Sequence, residues 1–214
     1  MKHWLAKELI NIHAVSLSPN EPYIWSSGIK SPIYCDNRLT LSYPALRQSI
    51  AEGLIAIIHK YYPEVDVIAG TATAGIPHAA LVADRMGLPM IYVRGKSKSH
   101  GKGNQVEGTL KANQKVVIIE DLISTGGSVI TVQKAIEEAG ANVLGSAAIF
   151  TYGLQKGKDL LLEAGLRYET LTDYNALLEA ALENKYVTSE EMTRLQQWQK
   201  NPENDSWLSL PVNE

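Results

Sequence analysis

The apolar positions of this chain change their period several times, and each change marks an element. Over residues 2–13, Trp4, Leu5, Leu9 and Ile10 recur at helical spacing. Pro22–Trp25 and Ile29–Cys35 are short extended stretches joined by Ser26-Ser27-Gly28, and they predict a hairpin. Ser42 with Pro44 predicts a helix start, and Leu46, Ile50, Leu54, Ile57 and Ile58 carry that helix on one face to about Tyr61. From residue 65 the pattern becomes one of short apolar runs between helices. The runs are Val65–Ala69, Met90–Val93, Val116–Ile119 and Asn142–Phe150. A small-residue helix over about 76–86 ends at Gly87, and another over about 126–139 ends at Gly140. Apolar runs alternating with helices predict an α/β fold with a mainly parallel sheet covered on both faces. The tail predicts a strand near Arg167–Leu171 and two more helices. The second of these opens with Thr188-Ser189-Glu190-Glu191, a capping box.

Composition narrows the class. The chain has 214 residues, of which 45% are hydrophobic and 20% charged, which excludes a disordered chain and suits a single domain. Twenty Lys and Arg against 23 Asp and Glu give a net charge of −3, which argues against a generic nucleic-acid binder. The single cysteine, Cys35, excludes an internal disulfide and a cysteine-rich metal site, and it suits a reducing compartment. Charges interrupt Met1–Glu8 before any apolar signal core can form, and no run of 18 apolar residues exists. A cytoplasmic protein with neither membrane nor nucleic acid as partner is expected. The five histidines show no metal-ligand spacing, so no metal residue is named.

The chemistry concentrates after the third apolar run. Val116–Ile119 leads into Glu120 and Asp121, then into Leu122-Ile123-Ser124-Thr125-Gly126-Gly127-Ser128, which opens a helix. In an open α/β sheet, ligands bind beyond the carboxyl ends of the strands. There the loop amides, the helix N-terminus, two glycines and the hydroxyls of Ser124, Thr125 and Ser128 make a phosphate cradle. The two acids would repel phosphate, so they must address another part of the ligand; sugar hydroxyls suit them. No Gly-Lys-Ser/Thr follows the glycines and no G-x-G-x-x-G is present there, so this is neither a Walker A loop nor a dinucleotide fingerprint. Two other segments stand out. Gly70-Thr71-Ala72-Thr73-Ala74-Gly75 is a glycine-bracketed loop. Arg94 to Lys102 holds five cations or potential cations, on a stretch over 94–110 long enough to serve as a flexible lid.

The Val116–Ser128 segment resembles the signature of type I phosphoribosyltransferases, which bind phosphoribosyl diphosphate (PRPP). Arg94-x-x-x-Lys98-x-His100-Gly101 resembles the catalytic loop of the orotate phosphoribosyltransferases in that family. Ser27-Gly28-Ile29-Lys30-Ser31-Pro32-Ile33-Tyr34 is similar to their N-terminal base-enclosing segment. The match runs in order from about residue 20 to 150 and is to the bacterial type. It departs where Ala74, Gly95 and Ser26 stand in place of lysines of other members, and where Thr151-Tyr152-Gly153 offers no arginine. The orotate carboxylate then has to meet other donors, backbone N–H groups or Lys30.

The resemblance implies the type I phosphoribosyltransferase fold in one domain over 1–214. About 1–40 would form a small N-terminal hood and base-binding segment, and about 65–151 the PRPP-binding core. It implies transfer of ribose 5-phosphate from PRPP to orotate, giving orotidine 5′-monophosphate and diphosphate, the ribosylation step of pyrimidine (UMP) biosynthesis. Arg94, Lys98, His100, Glu120, Asp121 and the loop from Leu122 and Ile123 through Ser124, Thr125, Gly126, Gly127 and Ser128 would bind PRPP. Lys98 and Asp121 would act in catalysis, and Ser124 would also touch orotate. Mg2+ would be bound mainly through PRPP, and a homodimer would share its lid loops between subunits. Two rivals remain: a type I enzyme acting on a purine or uracil, and a non-enzymatic regulator that senses PRPP. The Ser27–Arg38 segment and the Lys98–His100 loop disfavour the first. The lack of an added basic module disfavours the second.

Overall fold

The computed structural model describes residues 1–25, 28–95 and 105–210. The chain opens with α1 (Lys2–Asn11), β1 (Val15–Leu17), β2 (Tyr23–Ile24), β3 (Lys30–Ser31) and β4 (Ile33–Cys35). A 3-10 turn over Asn37–Ser42 leads into α2 (Pro44–Tyr61), β5 (Val67–Thr71), α3 (Gly75–Met86), β6 (Met90–Val93) and β7 (Val106–Glu107). Then come β8 (Lys115–Ile123), α4 (Gly127–Glu138), β9 (Asn142–Thr151), α5 (Gln155–Glu163) and β10 (Tyr168–Asp173). The chain closes with α6 (Tyr174–Glu183), α7 (Ser189–Lys200) and a 3-10 turn over Asp205–Ser209. Among the described residues no helix is long and apolar enough to cross a membrane.

Six strands form the central sheet in the order β10-β9-β8-β5-β6-β7, all parallel except β7, which runs antiparallel to β6. The expected sheet covered on both faces is present, and the strand pattern shows why. Val117 and Ile119 of β8 join the apolar cluster under α1, α2, α3 and α6, while Val116 and Ile118 join the one under α4. Each apolar run therefore feeds two cores at once, as a strand of period two must when both faces are buried.

Several expectations are corrected. The predicted hairpin forms as β2 against β3, but its second stretch runs on into β4, which pairs with β1, a pairing the sequence did not signal. Ser42 does not cap α2. It ends the preceding 3-10 turn, Tyr43 takes the cap position, and Pro44 is the first helical residue. The 94–110 stretch is not loop throughout, because β7 pairs Val106 with Val93 and Glu107 with Tyr92. The tail holds three helices rather than two, since α5 lies between β9 and β10. The capping box at Thr188 and Glu191 forms as read.

The tryptophans, which showed no pattern in sequence, divide by position. Trp198 and Trp207 are fully buried, whereas Trp4 is exposed. Trp198 packs edge-on against Trp25 and Tyr152, with centroids 5.8 and 5.9 Å apart, and its indole N–H donates to the Lys30 carbonyl. The C-terminal helix thereby holds the β2–β3 hairpin against the end of β9, at about 0.5–1.5 kcal/mol per aromatic pair beyond area burial.

His78 on α3 is 1% exposed, with neither ring nitrogen hydrogen-bonded. Burial pulls its pKa down from 6.5 to about 4, and only the Asp121 charge pulls the other way. Between these values the unfolded chain binds a proton that the folded chain refuses. The stabilising term is therefore complete above pH 6.5 and is lost as the pH falls toward about 4. Urea unfolding of the wild type and of His78→Gln at pH 7 and pH 4.5 should show the wild type losing on the order of 2–3 kcal/mol more than the variant. Equal losses would mean that His78 does not titrate on unfolding.

Candidate active site

The candidate site lies at the carboxyl edge of the sheet, where β5, β6, β8 and β9 end. The sequence places Glu120 and Asp121 after the strand; the structure places both within it. β8 continues to Ile123, with Leu122 opposite Phe150 and Ile123 opposite Thr151. The apolar run is interrupted by the acids while the backbone ladder is not. Leu122 and Ile123 are therefore strand residues, and the true loop is Ser124–Gly126. The hydroxyl of Thr151 pins the strand end by donating to the Ile123 carbonyl at 2.9 Å.

Glu120 is 5% exposed and Asp121 half-buried. A Glu120 carboxylate oxygen accepts the Asp121 backbone N–H at 3.0 Å. Burial first, and then the neighbouring Asp121 carboxyl, push Glu120 well above the usual carboxylate range. The pair thus resists carrying two full charges, and a cation or a set of hydroxyl donors arriving there relieves the conflict. Asn37, fully buried in the first 3-10 turn, donates its side-chain N–H to the Asp121 carbonyl at 2.7 Å. It ties the N-terminal strands to the acid, a role that nothing in its local sequence signals.

The loop after the acids is shaped for a close anionic ligand. Gly126 takes φ +79° as the residue before α4, and a Cβ there would meet the Leu161 side chain of α5 at 2.9 Å. α4 has no side-chain cap and no acid in its first turn, so its free N–H groups and positive end are left for a ligand. Gly127 and Ser128 are exposed in that turn, while Ser124 and Thr125 are half-buried. Gly157 of α5 supports the loop from below: a Cβ there would lie 2.7 Å from the Ser124 carbonyl.

A second uncapped helix starts beside the first. Thr71-Ala72-Thr73-Ala74 turns out of β5 into α3, whose first residue is Gly75. A Cβ on Gly75 would run into the Ile119 carbonyl, so only glycine lets this turn lie against β8. The loop is tied to β6 by the Ala72 N–H to the Val93 carbonyl at 3.0 Å. Arg94 follows directly. Its Nε lies 3.3 Å from Glu107, and its backbone N–H donates to Gln105 at 3.0 Å. The roots of the 94–110 stretch are therefore stitched together beside the Gly70–Gly75 loop. Lys98 and His100 lie outside the described residues.

A cleft of about 790 Å³ adjoins the loop. Ser124 and Thr125 form one side, Trp25 and Lys30 of the N-terminal hairpin another, and Leu154 and Lys156 a third. Of the residues read from sequence, the structure brings together Glu120, Asp121, Ser124, Thr125, Gly126, Gly127 and Ser128, with Arg94 at the neighbouring strand end. Lys156 escaped the sequence reading because it sits on the unforeseen helix α5. Asn37, Thr151 and Gly157 escaped because each acts on a partner far along the chain.

Comparison with known proteins points the same way. The family model for the phosphoribosyl transferase domain matches residues 42–170. The chain is 59% identical over 209 residues to the orotate phosphoribosyltransferase of Halalkalibacterium halodurans, covering 98% of this chain and 100% of that one. It is 62% identical over 200 residues to the orotate phosphoribosyltransferase of Listeria monocytogenes, covering 94% and 96%. The crystal structure of orotate phosphoribosyltransferase from Aeropyrum pernix superposes with a TM-score of 0.75 at 27% identity, covering 86% of this chain and 99% of that one. A central strand carrying two acids near its end and leading through a short loop into an uncapped helix, on this fold and with near-complete relatives at this identity, leaves one assignment: the chain belongs to the orotate phosphoribosyltransferase family.

Proposed function

We infer that this protein transfers ribose 5-phosphate from PRPP to orotate, releasing diphosphate and forming orotidine 5′-monophosphate. The observation that carries the reading is the end of β8, where two acids on the strand are followed by a short glycine-bearing loop and an uncapped helix N-terminus, beside a cleft large enough for a base. The near-full-length likeness to orotate phosphoribosyltransferases selects orotate over a purine or uracil. A single unpaired cysteine fits a reducing cytoplasm.

The reaction breaks the bond from ribose C1 to the diphosphate oxygen and forms one from C1 to an orotate ring nitrogen. No protein nucleophile is needed, so the protein contributes positioning and charge. Loop amides and hydroxyls from Ser124 to Ser128 hold the 5′-phosphate at the positive end of α4. Asp121 and Glu120 hold the ribose hydroxyls and favour positive charge on the ring as diphosphate leaves. The Gly70–Gly75 loop and Arg94 face the diphosphate, and Lys98 and His100 close over it from the loop. Mg2+ supplies further charge neutralisation of the diphosphate when bound. Bound mainly through PRPP, it would meet oxygen donors of the hard type it takes in the carboxylates of Glu120 and Asp121. The single-domain division into hood, core and lid, and a dimer in which each lid serves the partner's site, complete the reading.

One assay tests it. The protein with PRPP, Mg2+ and a panel of orotate, uracil, adenine and hypoxanthine should form nucleotide from orotate alone, and chelation by EDTA should abolish turnover. Turnover of a purine instead, or PRPP binding without any turnover, would remove the reading. Lys98→Ala should lower kcat by about 10²–10³, the cost of losing one preorganised charge, more than it raises the KM for PRPP. Asp121→Asn should lower kcat/KM for PRPP and leave orotate affinity nearly unchanged. Near-wild-type kcat in Lys98→Ala, or an effect of Asp121→Asn confined to orotate, would withdraw the corresponding role.

Mixing these two inactive variants tests the shared lid. If each site takes its lid from one subunit and its loop from the other, a mixed dimer has one site with both lesions and one with none. Free exchange of equal amounts should restore about a quarter of wild-type activity for an isologous dimer. No recovery, with mixed dimers seen by native mass spectrometry, would place each site within one chain.

A further inference from the structure

The cleft beside Ser124 has a fourth side that the proposed chemistry leaves idle. It is the C-terminal turn from Asn201 to Ser209, which places Glu203 and Asp205 in the lining. The two lysines of the lining each face one of these acids. Lys30 Nζ is 2.6 Å from Asp205, and Lys156 Nζ is 2.8 Å from Glu203. Two cations from separate parts of the chain thus converge on one cleft, and one short segment neutralises both.

The segment is anchored on either side of its acids. Before them, Trp198 is fully buried and donates to the Lys30 carbonyl, and Gln199 donates to the Tyr152 carbonyl at 2.8 Å. After them, Trp207 is fully buried, and the Arg194 Nε–H donates to the Leu210 carbonyl at 2.9 Å. The backbone of the strap is fixed, whereas the four charged side chains are between 44% and 64% exposed. Ion pairs in such surroundings are individually weak, so either lysine can exchange its partner at little cost. Between them the cleft offers Trp25 and Leu154 as apolar surface for a flat ring and the Ser124 hydroxyl for a polar edge.

We propose that Glu203 and Asp205 are exchangeable counter-ions for Lys156 and Lys30, displaced when the acidic group of the base substrate enters the cleft, so that the two lysines select a carboxylate-bearing heterocycle. A neutral base finds the lysines already paired and gains nothing by breaking those pairs. An anionic base replaces one carboxylate by another, while its ring gains the apolar contacts. In the empty protein the acids keep two cations from capturing other small anions. The proposal rests on orotate as substrate, and it assigns Lys30 and Lys156 as the groups that recognise its carboxylate.

The test is steady-state kinetics on the full-length enzyme with Mg2+, reading kcat and the KM for orotate at saturating PRPP and the KM for PRPP at saturating orotate. Lys156→Met and Lys30→Met should each raise the KM for orotate about 10- to 100-fold, the span of a charge-assisted hydrogen bond, with kcat and the KM for PRPP little changed. Lys156→Arg should restore most of the affinity, which a packing role would not require. Glu203→Gln combined with Asp205→Asn should lower the KM for orotate by about 2- to 30-fold, the range two exposed ion pairs span, and make the enzyme more sensitive to inhibition by inorganic phosphate. Glu203→Gln alone repeats the measurement should the double variant melt early. An unchanged or raised KM in the acid variants, at wild-type melting temperature, overturns the exchange. An unchanged KM in both lysine variants overturns carboxylate recognition while leaving the parent activity intact. A wild-type protein inert toward orotate overturns that activity and this proposal together.

Discussion

A parallel strand buried on both faces can offer its backbone and polar side chains to a ligand only at its end, and the site depends on how β8 ends. Its apolar residues satisfy two cores, and its ladder to β9 continues through both acids to Ile123. The carboxylates are therefore held by strand geometry rather than by a loop. Loops are the usual carriers of functional groups because they move. Here the two carboxylates are fixed on the sheet, and only Leu122–Gly126 separates them from the start of α4. The conflict this creates, two carboxyls side by side with one buried, is what a ligand carrying hydroxyl donors and a developing positive charge resolves.

The second constraint is distance along the chain. The N-terminal hairpin, the end of β9 and the C-terminal helix meet in one aromatic group, with Trp25 and Tyr152 at 5.3 Å and Trp198 set edge-on to both. Edge-to-face pairs fix mutual orientation as well as burying area. The base cleft is thus a tertiary product: no single segment contains it. Asn37 does the same for the acids, bridging 84 residues to hold the Asp121 carbonyl.

These two constraints explain what could be read from the sequence. The four apolar runs and the helices between them were legible because strands buried on both faces and helices of ten or more residues leave long patterns. β1, β2, β3, β4 and β7 have two or three residues each, too few for a period, so the sequence signals neither β1 nor β7 nor the pairing of β1 with β4. The apolar run of β8 stops at Ile119 where the acids begin, although the ladder depends on backbone and not on side chains and continues to Ile123. α5 leaves little pattern because only Gly157 and Leu161 of its nine residues are buried. The acids and the glycine loop were legible as chemistry because their neighbours in sequence are also their neighbours in space. Asn37, Thr151, Gly157 and Lys156 were not, since each acquires its meaning from a partner brought by the fold.

The position of α5 shows how support and specificity combine in one element. Its Gly157 and Leu161 underlie the Ser124–Gly126 loop, so the loop rests on this helix. Immediately before Gly157 the same helix presents Lys156 to the cleft. A shift of α5 would then move the Ser124–Gly126 loop and Lys156 together, keeping their separation nearly constant. Transfer between two substrates held on one scaffold requires their reacting atoms to approach within about 3–3.5 Å. A rigid helix touching both subsites preserves that approach better than two independent loops. The helix least visible in the sequence thus couples the Ser124–Gly126 loop to the cleft beside it.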